Sequence, residues 1–129
     1  MTVEEIWNEE HGIPTRFELA RDLLECPARI EQAEQRVRDA KIRLARWQDD
    51  VADFEATLLL ATNEDGTPKI NGRNQEQRDA QIRTYTDHGR ENIRLAEASL
   101  MREVCELERA RNHFRALRSC AALIAGERE

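Results

Sequence analysis

Aromatic residues make up only 5% of the 129-residue chain, as three Phe, two Trp and one Tyr. So few rings suit a thin helical bundle, with much surface per unit of core, better than a compact enzyme built around a deep pocket. The three cysteines, Cys26, Cys105 and Cys120, include no CxxC pair and show no metal-ligand spacing, which argues against a zinc knuckle or a dithiol redox motif. They read as small helix residues. No apolar run approaches the length of a membrane span. Leu58-Leu59-Leu60-Ala61 is among the longest, so no membrane association is expected. The N-terminus, Met1-Thr2-Val3-Glu4-Glu5, is acidic where a secretory signal would be basic, and a cytoplasmic location is expected. HExxH, GxSxG, Walker and GxGxxG motifs are all missing. His11, His88 and His113 are scattered, Ser99 and Ser119 have no base nearby in sequence, and no cofactor is implied.

Charge and helical periodicity are abundant instead. Charged residues are 36% of the chain, hydrophobic ones 40%, and the net charge is −6. Ile30, Ala33, Val37, Ala40, Leu44, Trp47, Val51, Phe54, Leu58 and Ala61 recur at alternating spacings of three and four. A second seam runs through Ile93, Ala96, Leu100, Glu103, Leu107, Ala110, Phe114, Leu117, Ala121 and Ile124, with Glu103 as its one polar member. Such a 3.5-residue repeat marks helices that wind around each other. Run antiparallel, the seams match large residues to small ones if Ala40 meets Phe114, Leu44 meets Ala110 and Leu58 meets Ala96. Registers shifted by a heptad are alternatives to this one. Ile42, Leu95, Met101 and Val104 lie off the seams and point to further packing, by shorter helices or a second subunit.

The expected fold is therefore all-α: a long antiparallel coiled-coil-like helical hairpin in one domain. Residues 1–26 form an N-terminal arm with short helices, 27–62 a long helix, 63–73 a tip loop, 74–88 a small capping helix and 89–126 a second long helix. Thr2 with Glu5 and Thr15 with Glu18 are capping boxes, His11-Gly12 ends the first short helix, and Cys26-Pro27 breaks the second. Asn63-Glu64-Asp65-Gly66 and Asn71-Gly72 are turn signals, Asn74 with Gln77 caps the next helix, and Gly89 bends or breaks it.

Charge is unevenly spread. Arg29, Arg36, Arg38, Lys41, Arg43 and Arg46 dominate residues 29–46, and Arg109, Arg111, Arg115 and Arg118 occupy 109–118 with no acid. Asp49, Asp50, Asp53 and Glu55 follow on the first long helix, where they read as a solvated face rather than a metal or acid–base site, and the first 28 residues are also acidic. The basic end is either neutralised by the acidic arm or a second subunit, or it meets the phosphates of DNA or RNA through Arg36, Arg43, Arg111, Arg115 and Arg118. Glu103 in the seam needs a close cationic partner and can set the register. Trp7, beside Ile6, is a candidate anchor, either for a partner or for the arm on its own domain.

Residues 63–82 are the most distinctive stretch, with Gly72-Arg73-Asn74 followed by Arg78 at a helix start. This segment resembles small phage- and prophage-encoded helical proteins of unassigned function, which place a Gly-Lys/Arg-Asn turn and an Arg-containing helix start between two long charged helices. The resemblance covers about twenty residues and the hairpin layout. It implies a phage accessory role beside recombination or anti-defence proteins, and no catalytic residues. Chain and resemblance together lead to a non-enzymatic protein–protein interaction or scaffold protein that contacts its partner through Gly72, Arg73, Asn74 and Arg78 of the loop, with a protein partner and a homodimeric state expected. The alternatives are a nucleic-acid-binding accessory protein and an enzyme whose site assembles between subunits.

Overall fold

In the computed structural model, residues 2–3 and 15–126 are described, and the fold is an all-α helical hairpin. Helix α1 spans Arg16–Leu60 and helix α2 spans Gln75–Gly126. The expected short helix up to Glu10, its stop at His11-Gly12 and the anchor Trp7 lie outside the described residues. Contacts divide the chain into two units, each made from both helices. The first joins the N-terminal part of α1, through Val37, to α2 from Glu103 onward, and the second comprises Arg38–Arg102.

The start of α1 follows the sequence signal. The Glu18 amide donates to Thr15 Oγ1 and the Thr15 amide donates to the Glu18 carboxylate, both at 3.2 Å. Two of the orphan donors at the helix start are thereby satisfied. The expected break at Cys26-Pro27 does not occur, because α1 runs through Pro27. The reason lies in the seam, which continues backwards with unbroken spacing through Cys26, Leu23 and Leu19. In the first unit, Leu19, Cys26 and Leu117 form a buried cluster, with Leu23, Phe114, Ala121 and Ile124 packed against it. Pro27 itself is exposed. Apolar burial on both sides of the proline, about 1.5–3 kcal/mol per fully buried large side chain, holds the helix together across the missing hydrogen bond.

The separate capping helix over 74–88 is likewise not observed, since α2 is one helix of 52 residues with no break at Gly89. Here too the seam extends further than expected, through Gly89, Thr86 and Ile82. Thr86 is 1% exposed. Its hydroxyl donates to the Ile82 carbonyl at 2.8 Å and accepts from Arg90 Nε at 2.9 Å, so a polar seam residue is fully partnered. Gly89 serves close approach rather than bending: a Cβ built there would lie 2.7 Å from Val51 Cγ2 on α1.

Gly89→Ala therefore sets two effects against each other. Alanine gains about 1 kcal/mol of helix propensity, while overpacking against a β-branched side chain with one preferred rotamer costs about 1–3 kcal/mol. The expected net loss is about 1 kcal/mol by urea denaturation. Adding Val51→Ala removes the overlapping methyl, so the double variant should be more stable than the sum of the single effects by about 1–2 kcal/mol. Additive losses would rule out the contact.

The pairing register also differs from the expected one. Arg111 meets Glu34 in the first unit and Arg90 meets Glu55 in the second, whereas the expected alignment sets Arg111 opposite Arg43. The displacement exceeds a heptad. It follows directly from the uninterrupted helices: Ile82, Thr86 and Gly89 take up α1 positions that the shorter seam had left to residues after Ile93. Most seam residues are buried or half-buried, but Trp47 and Phe54 remain 36% and 45% exposed.

Candidate functional site

The segment joining the helices is short on apolar residues and rich in side chains that can bond to backbone. Its first half folds as a miniature hairpin. The Gly66 amide donates to the Asn63 carbonyl at 2.9 Å, and the Asn63 amide donates to the Thr67 carbonyl at 2.7 Å. Gly66 takes φ +84°, the left-handed conformation needed to close a three-residue turn of this kind. Thr62 and Pro68 form an antiparallel bridge, and the Lys69 amide donates to the Ala61 carbonyl at 3.0 Å. Asp65 accepts from the Thr67 hydroxyl at 2.6 Å and the Thr67 amide at 3.0 Å. These two bonds, the hydroxyl first, hold its carboxyl below the ordinary aspartate value.

The second half is clamped to the start of α2. Gln81 is the clamp: its carbonyl oxygen accepts from the Asn71 and Gly72 amides at 3.0 and 2.9 Å, and its amide donates to Asn71 Oδ1 at 2.8 Å. The Arg73 amide donates to Gln77 Oε1, and the Gln77 amide donates to Asn74 Oδ1, both at 2.8 Å. The expected Asn74 cap is thus present, while Gln77 reaches back to the Arg73 amide, one residue before the cap. Gly72 is required by space, because a Cβ there would lie 2.7 Å from the Arg78 backbone nitrogen and 2.8 Å from Gln77 Cβ.

Four of the sequence-selected residues therefore meet in one place with different tasks. Gly72 and Asn74 build the loop. Arg73 and Arg78 make no ion pair among the described residues and are exposed, and Arg73 lines a shallow groove with Asn71, Gly72, Gln77, Ala80 and Gln81. Sequence reasoning missed Gln81. The available signal was its spacing of one helical turn from Gln77, which sets both amides on the face of α2 that meets the returning loop.

The arginines of the proposed phosphate surface are differently placed. Arg36 Nε donates to the Glu103 carboxylate at 3.2 Å, giving the seam glutamate its cationic partner, and Arg111 lies 3.7 Å from Glu34. Arg115 donates to Asn112 Oδ1 at 3.3 Å, and the Arg118 guanidinium sits 5.6 Å from the centre of the Phe114 ring. Arg43 makes no ion pair among the described residues.

Among the described residues, no group of three or more His, Cys, Asp or Glu side chains is placed to hold a metal ion. Cys26 is buried, Cys105 and Cys120 are exposed, and all three are free thiols. No described helix is long and apolar enough to cross a membrane. No protein-family model matches the chain, and comparison with curated proteins and with solved structures returns no match.

Proposed function

We propose that this is a non-enzymatic interaction protein, a homodimeric coiled-coil hairpin that presents the loop before α2 to a protein partner as a scaffold or accessory subunit. The observation that carries the reading is a loop held in one conformation by side-chain-to-backbone hydrogen bonds while Arg73 and Arg78 stay unpaired among the described residues. A preordered loop loses little conformational entropy on binding. Free guanidinium forks suit carboxylate-bearing surfaces. The three-and-four spacing of buried positions supports the coiled coil, as do the ion pairs Glu34–Arg111 and Glu55–Arg90, which flank the seam where antiparallel helices bring like heptad positions together. The likeness of Gly72-Arg73-Asn74 and Arg78 to the phage-encoded proteins supports a phage accessory role.

The test is a partner captured from host extract with the full chain, identified, and titrated by calorimetry. Arg73→Ala with Arg78→Ala is expected to weaken that binding at least about tenfold, since a charge-assisted contact contributes about 1.5–3 kcal/mol, with helicity unchanged. Equal affinity for the double variant would remove the loop from the interface.

Nucleic-acid binding is the second reading, favoured by Arg43, Arg115 and Arg118, which carry no ion pair among the described residues. Anisotropy titrations of labelled DNA and RNA at about 50 and 200 mM salt separate the two readings. Binding through phosphates collapses at the higher salt by counterion release, and a protein adaptor shows no binding at either.

A further inference from the structure

Among the described residues, the second unit gathers exposed aromatic and unpaired charged side chains on one flank of its helix pair. The Glu55–Arg90 ion pair marks the opposite flank. Trp47 and Phe54, two turns apart on α1, lie on the seam edge away from Glu55. Tyr85 and Leu95 on α2 are each five residues from Arg90 and so fall on the side of that helix away from it. All four are substantially exposed, Tyr85 at 47% and Leu95 at 60%. Trp47 has Arg43 one turn before it and Arg46 immediately before it, and Asp50 and Asp53 one to two turns after it. None of these four charges makes an ion pair among the described residues.

We propose that this flank is a self-complementary surface which packs, antiparallel and about a two-fold axis near Trp47, on the same flank of a second copy. The proposal rests on the homodimeric reading above and assigns the surface that makes the dimer. A two-fold interface uses one patch twice, so the patch must be its own complement. The order basic, aromatic, acidic along α1 has that property: rotation about an axis at the level of Gln48, beside Trp47, brings Arg43 of one copy onto Asp53 of the other and Arg46 onto Asp50, at both ends of the interface. The two Trp47 rings then cover each other, and charges without an ion-pair partner among the described residues find one across the axis. A nucleic acid or a peptide of one charge sign would be attracted at one end of this flank and repelled at the other.

Sedimentation equilibrium of the full chain provides the test. Wild type is expected to be dimeric at micromolar concentration. Asp50→Arg with Asp53→Arg makes the flank wholly basic, and Arg43→Asp with Arg46→Asp makes it wholly acidic. Each double variant should self-associate at least about tenfold more weakly, because like charges now face each other, with an unchanged circular dichroism spectrum. An equimolar mixture of the two should restore the dimer, since every facing pair is again opposite in sign. A folding defect would not be rescued by mixing. Variants that dimerise alone as wild type does, or a mixture that stays monomeric, overturn the flank while leaving the homodimer standing. A wild type that is monomeric at high micromolar concentration overturns both.

Discussion

Replacing Pro27 with alanine is expected to stabilise the protein by about 2 kcal/mol. Proline inside a helix removes one backbone donor and crowds the carbonyl four residues earlier, a cost of about 3 kcal/mol relative to alanine. Part of that gain is returned, because proline also restricts the unfolded chain, by about 0.4–1 kcal/mol. Pro27 is exposed in the interior of α1, three turns from its start, so its ring contributes little burial that alanine would forfeit. The substitution would let the Leu23 carbonyl accept its helical hydrogen bond. Urea denaturation should show a higher midpoint with an unchanged slope, and amide exchange in residues 16–30 should slow. A variant no more stable than wild type would mean that α1 is not continuous through Pro27.

Gly72→Ala is expected to cost about 3 kcal/mol locally, at the upper end of overpacking effects. The obstacle is backbone: the Arg78 nitrogen and Gln77 carbonyl carbon lie 2.7 and 2.9 Å from the added carbon, and both belong to the first turn of α2. Neither can swing aside as a side-chain tip would, so the loop must leave α2. The Asn71 and Gly72 amides then lose their bonds to Gln81. Hydrogen exchange at these two amides reports the change directly, and partner binding through Arg73 and Arg78 should weaken with it. Gly66→Ala is the control. Nothing lies within 4 Å of its added carbon, so it meets only the left-handed backbone penalty of about 1–2 kcal/mol and should leave Gln81 engaged. If Gly72→Ala left exchange at Asn71 and Gly72 unchanged, the clamp would be refuted.

The seams, the caps at Thr15 and Asn74, and the position of the loop were all legible in the chain, because each depends on interactions within about one turn. The misplaced breaks at Pro27 and Gly89 share a cause. Both residues lower local helix propensity, and both were given more weight than the seam that passes through them. Leu19, Leu23 and Cys26 on one side, and Ile82, Thr86 and Gly89 on the other, keep the alternation of three and four without a fault. Thr86 and Gly89 concealed it by being polar and absent side chains at core positions. The arginines named as one phosphate-binding set turned out to hold different posts: Arg36 and Arg111 are tied to Glu103 and Glu34, which spacing along one helix could not reveal.

Helical character, the place where the two long helices turn back and the apolar stripe of each were written in the chain, since these follow from local propensity and period. The unbroken course of α1 and α2, the register that joins them and the choice of which charges pair came from the fold. Those outcomes depend on contacts between residues far apart in the chain. The packing of Leu19 and Cys26 on Leu117 outweighs one proline, and the fit of Val51 over Gly89 turns a helix-weakening residue into a place of close helix contact.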